Sequence, residues 1–271
     1  MRLDKYLVDN HFFETRQKAQ FFIKQGKIKV DGVVCNKPSF IVNEKPKIEI
    51  LDEKQYVSRG AYKLLGAVEK FNLDFKDKIV LDLGASTGGF TQVALEKGAK
   101  KVYAVDIGKS ELHKLLKSDK RVVDLPNTDV RNLNKAEVGD FDILIGDLSF
   151  ISLTKVLPYL FNEFGKIKEG FLLFKPQFEC GKDIAKKYKG IIKNKDIHIK
   201  ILNNFVNFVE NLGNFISDID FSPIKGGDGN IEYLIYFNEN TTKNYNIEEV
   251  IDRAFSILKW KKYILICIAY L

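Results

Sequence analysis

The spacing of hydrophobic positions divides the chain into a short first part and a longer second part. Near the N-terminus, apolar side chains recur every three or four residues, which predicts two short helices. Thr15 suits the N-cap of the second helix, and Gly26 suits its end. Two β-prone runs then flank Asp31-Gly32, a pair typical of a tight hairpin turn. Residues 1–50 are therefore predicted to form a small α+β domain.

In the second part, apolar runs of strand length alternate with segments of helical spacing, after an opening helix over 61–71. This alternation predicts a Rossmann-like α/β domain with a doubly wound, mostly parallel sheet. The last two strands are joined by a connection too short for a helical crossover, so the last strand should run antiparallel. A seven-stranded sheet of this kind is the class I methyltransferase fold rather than a dehydrogenase fold. The predicted strands are 79–83, 102–106, 122–125, 142–147, 170–175, 215–221 and 231–237, and the predicted helices are 90–97, 110–117, 152–161 and 195–211.

Length and composition fit this division. A chain of 271 residues that is 45% hydrophobic can form one full α/β domain and a smaller one. We expect a domain at 1–50, a linker at 51–60 and a catalytic domain at 61–271. The net charge of +7 favours a polyanionic partner, because lysine and arginine gain affinity by releasing counterions from phosphates.

Cysteines and apolar runs exclude several other classes of protein. Cys35, Cys180 and Cys267 are odd in number and widely spaced, so neither a disulfide framework nor a zinc site is expected. We therefore predict no structural metal and a reducing cytoplasm. We also predict no export signal, because charges follow Met1 directly where a signal peptide would have its apolar run. The longest apolar stretch, 263–271, is far shorter than the roughly 20 residues of a membrane span, and a terminal strand or packed tail is predicted there.

A glycine-rich loop follows the first predicted strand of the second domain. It suits a nucleotide-like cofactor, because glycines let the backbone approach a ligand and a helix N-terminus offers free amides. A phosphate loop is excluded, since no Gly-Lys-Ser/Thr follows. The dehydrogenase fingerprint fits poorly, since Ser86 stands where its second glycine belongs. The predicted loop is Gly84, Ala85, Ser86, Thr87, Gly88 and Gly89, with Phe90 in the next helix.

Three aspartates at strand ends indicate which cofactor the loop binds. Asp82 is placed to attract the ammonium of a methionine moiety, which a nicotinamide cofactor lacks. Asp106 closes the second strand, where a carboxylate can accept hydrogen bonds from both ribose hydroxyls. Asp129, after the third strand, could accept from an adenine amino group, although a helix or turn cap is the alternative for each aspartate. The pattern suits S-adenosyl-L-methionine.

Residue types at the fourth and fifth strand ends indicate the group that is methylated. Asp147-Leu148-Ser149-Phe150 lacks the Pro-Pro turn of enzymes that methylate base amines. Cys180 lies beyond its strand end, which disfavours a cysteine-dependent cytosine reaction. A ribose 2′-hydroxyl has a high pKa and needs a base as the methyl group moves.

Four residues could supply that chemistry: Lys63, Asp147, Lys175 and Glu232. Lys175 follows a strongly apolar strand at the edge where α/β sheets place their chemistry, and it is the predicted base. Asp147 would hold Lys175 and help fix the substrate, and Glu232 would orient Lys63. The two lysines would lower each other's pKa and the carboxylates would oppose this, so the sequence leaves the balance open.

The first domain resembles a small RNA-binding module of a small-subunit ribosomal protein, pseudouridine synthases and tyrosyl-tRNA synthetases. The matching residues are Arg2-Leu3-Asp4, Thr15-Arg16 with Ala19, Ile23 through Gly26 to Asp31-Gly32, and Lys37-Pro38. The alternative is that its lysines only solvate a helix face and a hairpin. The basic bias favours RNA binding, and the candidate residues are Arg2, Lys5, Arg16, Lys18, Lys24, Lys27, Lys29 and Arg59.

Nearly the whole chain resembles the TlyA family of rRNA 2′-O-methyltransferases, which share their catalytic domain type with FtsJ. The matching motifs are Tyr56 to Gly60, Gly84 to Thr91, Val102 to Asp106, Asp147 to Leu153, Lys175 to Glu179 and Gly229 to Glu232. The resemblance implies methylation of cytidine 2′-hydroxyls in ribosomal RNA, by a Lys-Asp-Lys-Glu set that falls on the four residues above. It also implies an influence on sensitivity to capreomycin-type antibiotics. Ala61 departs from the family, which usually has glycine there.

Two rival functions remain open at this point. The family often carries the name haemolysin, so a membrane-active protein is one alternative. A ribosome-assembly factor that binds RNA without catalysis is the other.

Overall fold

The computed structural model describes residues 1–13, 15–51 and 56–260. The described chain forms two compact units, Met1–Arg59 and Gly60–Lys259. The terminal strand or packed tail predicted at 263–271 lies outside the described residues.

The first unit packs two helices against a three-stranded sheet. Thr15 caps the second helix as predicted, since its Oγ1 accepts a hydrogen bond from the Lys18 amide at 3.2 Å. Asp31 and Gly32 both have positive φ, 51° and 80°, as a two-residue type I′ hairpin turn requires. The elements are α1 (Leu3–Asp9), α2 (Arg16–Lys24), β1 (Ile28–Val30), β2 (Val33–Val34) and β3 (Ile48–Ile50).

The sequence pattern did not predict β3. It is only three residues long, and its pairing with β1 closes a connection of more than a dozen residues, which local spacing does not reveal. The sheet order is β2-β1-β3, with both pairs antiparallel. The core beneath it is apolar, with Leu3, Leu7, Phe13, Ala19, Phe22, Ile23, Ile28, Val30 and Val42 buried.

The second unit alternates strands and helices, as expected. Its strands are β4 (Ile79–Leu83), β5 (Lys101–Val105), β6 (Val122–Leu125), β7 (Ile143–Gly146), β8 (Glu169–Phe174), β9 (Asp218–Phe221) and β10 (Tyr233–Asn238). Its α-helices are α3 (Gly60–Phe71), α4 (Gly89–Glu96), α5 (Lys114–Lys117), α6 (Lys135–Val138), α7 (Leu157–Phe164), α8 (Pro176–Glu179), α9 (Lys182–Lys187), α10 (Lys195–Asn211) and α11 (Ile247–Trp260), with a 3₁₀ turn at Leu153–Lys155.

Seven strands form one sheet in the described part of this unit, in the order β6-β5-β4-β7-β8-β10-β9. The first five pair in parallel, and β10 pairs antiparallel with both β8 and β9. The predicted class I methyltransferase fold is therefore confirmed. The strand order reverses between β4 and β7, and open α/β sheets place their ligands at the carboxyl ends of the strands beside such a point.

Helix boundaries differ from the prediction at two places. The helix expected at 110–117 is only α5, and His113 caps it by accepting from the Leu115 amide. The helix expected at 152–161 divides into the 3₁₀ turn and α7, because Pro158 lacks an amide hydrogen and suits only the first turn of a new helix. Helices α6, α8 and α9 were not predicted, because four to six residues are too few to show the i, i+3, i+4, i+7 spacing of a helix. Helix α11, with 14 residues, was not predicted either.

Candidate active site

The glycine-rich loop lies between the carboxyl ends of three strands. The Gly84 and Ala85 amides both donate to the Val105 carbonyl, at 2.8 and 3.0 Å, which fixes the loop to β5. Gly84 has φ +77°, and a Cβ there would lie 3.0 Å from the Asp147 carbonyl oxygen. The absence of a side chain at Gly84 therefore lets the loop approach the segment that carries Asp147.

Asp82 and Asp106 flank this loop in different environments. Asp82 is fully buried, and burial raises its pKa to about 7, although Thr91 Oγ1 donates to its Oδ2 at 2.6 Å. Its Oδ1 is buried with no hydrogen-bond partner in the described structure. Asp106 is half-buried and accepts from the Ser86 and Gly108 amides, both at 2.8 Å.

Asp129 is engaged by a neighbouring guanidinium. Arg131 Nε lies 3.0 Å from its Oδ1, and Arg131 Nη2 lies 2.5 Å from its Oδ2. Arg131, together with its backbone amide, holds the pKa of the Asp129 carboxyl below its ordinary value despite partial burial. Binding an adenine amino group would require Asp129 to use its remaining lone pairs.

The structure brings Lys63, Asp147, Lys175 and Glu232 into one buried cluster. They come from α3, the end of β7, the end of β8 and the start of β10. Asp147 lies between the lysines, with Lys63 Nζ at 3.3 Å from its Oδ2 and Lys175 Nζ at 2.6 Å from its Oδ1. Lys63 Nζ also lies 2.8 Å from Glu232 Oε2. The side chains are 9, 18, 7 and 3% exposed in the order given above, so solvent screens these ion pairs weakly.

Charge attraction outweighs burial in this cluster. Burial alone would lower the pKa of Lys63, but Asp147 and Glu232 raise it above its ordinary value. Burial alone would raise the pKa of Asp147, but Lys63 and Lys175 lower it. Lys63 is therefore a cation and Asp147 an anion at neutral pH. The sequence left this balance open, and for Lys63 the two carboxylates decide it.

The segment after β7 adds two residues to which sequence reasoning gave no role. Ser149 Oγ accepts a hydrogen bond from Lys175 Nζ at 2.7 Å, so the lysine has both an anionic and a neutral partner. Phe150 has φ +64° and is 92% exposed, and its ring lies 5.4 Å from that of Phe178. A positive φ is uncommon for an aromatic residue, and here it turns an apolar ring outward beside the buried cluster.

Glu179 connects the segment after Asp147 with the segment after Lys175. It stands at the end of α8, after Lys175, and its oxygens accept from Ser152 Oγ at 2.5 Å and the Leu153 amide at 2.7 Å, on the segment after Asp147. Burial raises its pKa, and among the described residues no lysine or arginine pairs with it. The sequence contained a signal for this contact, since Glu179 and Leu153 each end one of the long matching motifs. That the two motifs meet is shown only by the fold.

Candidate RNA-binding residues of the first unit fall into two groups. Arg2 Nε and Arg16 Nε lie 3.0 and 2.9 Å from the buried Asp4 carboxylate, so these arginines also stabilise the fold. The Arg59 guanidinium lies 5.2 Å from the Phe21 ring centroid. The lysines are half-buried or exposed, and these are Lys5, Lys18, Lys24, Lys27 and Lys29.

Comparisons with known proteins match both units. A model of the FtsJ-like methyltransferases matches residues 56–239, and a model of the S4 domain matches residues 1–45. "Hemolysin A" of Brachyspira hyodysenteriae is 40% identical over 240 residues, which cover 88% of this chain and 99% of that protein. The "16S/23S rRNA (cytidine-2'-O)-methyltransferase TlyA" of Mycobacterium tuberculosis is 35% identical over 261 residues, 94% of this chain and 97% of that protein.

A solved structure shows the same likeness. A protein named as a hemolysin from Streptococcus thermophilus superposes with a TM-score of 0.73 at 35% identity, covering 96% of this chain and 97% of that one. Fold, loop and family models together define an FtsJ-like methyltransferase with an S4 domain. Within that class, the chain belongs to the TlyA family, because the identity extends over nearly the full length of both proteins.

The described residues contain neither a membrane-spanning helix nor a metal-binding cluster. None of the helices they form is long and apolar enough to cross a membrane. The same residues contain no group of three or more histidine, cysteine or acidic side chains placed to hold a metal ion.

Proposed function

We propose that this chain transfers a methyl group from S-adenosyl-L-methionine to the ribose 2′-hydroxyl of cytidine in ribosomal RNA. The observation that carries the proposal is the buried cluster of two lysines and two carboxylates beside the glycine-rich loop. The M. tuberculosis and Campylobacter jejuni relatives, the latter 38% identical, are both named as rRNA (cytidine-2'-O)-methyltransferases. The site and these names support the same reaction.

The residues around the loop fit the proposed cofactor. The unpartnered Asp82 Oδ1 suits an ammonium group, and Asp106, at the end of β5, suits ribose hydroxyls. Residues Gly84 to Phe90 would line the rest of the site, and Asp129 would face the adenine. S-adenosyl-L-methionine supplies an electrophilic methyl group on its sulfonium sulfur.

In this proposal the lysines have different roles. Lys63 stays protonated, because Asp147 and Glu232 raise its pKa, and it holds the two carboxylates in place. Lys175 acts as the base: after its ammonium group has released a proton to solvent, the neutral amine takes the 2′-hydroxyl proton as the ribose oxygen forms its bond to the methyl carbon and the sulfur–methyl bond breaks. Asp147 and Ser149 orient the Lys175 Nζ toward the hydroxyl.

The outward Phe150 ring would support the target base once it has left the stack. Bases stack readily on exposed aromatic rings, and enzymes that modify a nucleotide commonly take it out of the helix. Residues 1–50 would hold structured rRNA, residues 51–60 would link the domains, and 61–271 would carry the reaction. An enzyme acting on rRNA would work in the cytoplasm.

The test is transfer of labelled methyl from S-adenosyl-L-methionine to separated ribosomal subunits, by wild type and by Lys175→Met. We expect transfer by wild type to one or both subunits and a loss of about 10²–10⁴-fold in kcat for the variant, the usual range for a general base. Cofactor binding, measured by calorimetry, should survive in the variant. Wild-type rates in Lys175→Met would exclude its role as the base, and cofactor binding without transfer by wild type would favour the non-catalytic assembly factor.

A further inference from the structure

A lysine-rich segment follows α8, the short helix after Lys175, with two residues between them. Residues 182–193 contain five lysines and one aspartate, within a chain whose net charge is +7. The segment comprises α9 and the turn after it. The five lysines are exposed, and in the described part of the chain none of them pairs with a carboxylate; they are Lys182, Lys186, Lys187, Lys189 and Lys193.

Each end of this lysine segment is tied to a part of the chain near a catalytic candidate: the start by chain continuity after Lys175, and the end by hydrogen bonds to Asn230. Its start follows α8, and Lys182 lies seven residues after Lys175, a separation of at most about 25 Å for a fully extended chain. Near its end, Asn230 Nδ2 donates to the Gly190 carbonyl at 2.7 Å, and Asn230 Oδ1 accepts from the Ile192 amide at 3.0 Å. Asn230 is buried and stands two residues before Glu232.

A second buried contact holds the same end. The His198 ring bridges the Ile192 carbonyl, at 3.1 Å, and the Tyr233 hydroxyl, at 2.7 Å. Tyr233 is the first residue of β10 and follows Glu232 directly. The segment is therefore a positively charged helix and turn, held at both ends beside the catalytic cluster, rather than a tethered tail.

Uncompensated charge of this kind needs a partner of opposite sign. Five ammonium groups in twelve residues repel one another, and a row of phosphates relieves that repulsion while releasing counterions. We infer that the lysine segment binds the phosphate backbone of the RNA next to the target nucleotide. This inference rests on the proposed function for the identity of the RNA, and it adds a contact surface on the catalytic unit itself.

The test compares two full-length variants that lose the same charge. One is Lys182→Gln/Lys186→Gln/Lys187→Gln on α9. The other is Lys76→Gln/Lys97→Gln/Lys100→Gln, three exposed lysines that precede β4 and β5 and so lie at the opposite edge of the sheet. Glutamine keeps the helix propensity of lysine, so α9 should be retained.

Binding to purified ribosomal subunits is measured from 50 to 200 mM KCl, together with kcat and KM for methyl transfer. For the α9 variant we expect KM to rise by at least about 10-fold, kcat at saturating RNA to be unchanged, and the slope of log Kd against log salt to fall by about 2, since each phosphate contact contributes about 0.7–0.9. The variant at the opposite edge should retain wild-type values. Equal effects of the two variants on KM and slope would overturn the inference.

The binding measurements test the lysine segment even if the proposed reaction is wrong. Binding to ribosomal subunits, and the slope of log Kd against log salt, can be measured without methyl transfer, so both remain informative if wild type methylates neither subunit. Conversely, wild-type transfer together with an α9 variant that matches the control rejects this surface and leaves the proposed function standing.

Discussion

Glu232→Gln tests whether the four buried residues form a charge-balanced cluster. In wild type, two lysines face two carboxylates. The substitution keeps the shape of the side chain and leaves both ammonium groups to share Asp147, with Lys63 losing its contact at 2.8 Å. Removing one partner of a buried ion pair costs about 3–5 kcal/mol, because the remaining charge is uncompensated.

The loss has an upper limit that depends on pH. In wild type the Lys63 pKa is raised, so its contribution to stability is present below the unfolded pKa and is lost only as pH rises through the higher folded pKa. In the variant, burial with one shared carboxylate should place the folded pKa below the unfolded one. Lys63 can then release its proton, and with an unfolded pKa of about 10.4 the part of the loss that comes from its uncompensated charge is limited to about 3 kcal/mol at pH 8 and about 1 kcal/mol at pH 9.5.

The assay is urea unfolding of wild type and variant, followed by far-UV circular dichroism, between pH 7 and pH 9.5. We expect the free energy of unfolding of the variant to approach that of wild type by up to about 1.4 kcal/mol per pH unit. Lys63→Met/Glu232→Gln should be more stable than Glu232→Gln alone, since a neutral pair of similar volume replaces the uncompensated charge. A loss independent of pH, with no recovery in the double variant, would refute the charge-balance account.

Three further predictions concern neighbouring groups. In the methyl-transfer assay, Phe150→Ala should raise KM for RNA or lower kcat by about 10–100-fold, since stacking of one base contributes about 1–3 kcal/mol. Tyr159 is another exposed aromatic residue of this unit, and Tyr159→Ala should leave both constants unchanged. Affinity for S-adenosyl-L-methionine, measured by calorimetry, should rise from pH 6 to pH 8 as Asp82 ionises around its pKa of about 7, and Asp82→Asn should weaken binding and remove this dependence. Because the folded pKa of Glu179 is raised, its ionisation costs stability as pH rises above the unfolded value of about 4.3, so the stability of Glu179→Gln relative to wild type in urea unfolding should increase with pH over that window.

The sheet could be predicted from the sequence because each strand has its own apolar run. The antiparallel direction of β10 followed from the shortness of the connection before it. Short elements were missed for a physical reason. β3 has three residues and α9 has six, which are too few for a strand or helix pattern to be recognised. β3 is held by its pairing with β1, and the turn after α9 is held by contacts such as Asn230 with Gly190.

The candidate site was only partly visible in the sequence. Strand-end positions and family resemblance selected Lys63, Asp147, Lys175 and Glu232, but their distances and the raised pKa of Lys63 depend on tertiary contacts. The outward ring of Phe150 depends on a backbone angle that its residue type does not favour. Such local exceptions are expected where a fold positions a functional group.

The position of the methyl group on the RNA tests the proposed reaction most directly. Subunits labelled by the full-length protein and S-adenosyl-L-methionine are digested with alkali, which cleaves every linkage except one with a methylated 2′-oxygen. We expect label in an alkali-resistant dinucleotide whose 5′ nucleoside is cytidine. Label recovered in ordinary mononucleotides, with the methyl group on a base, would contradict the proposed reaction.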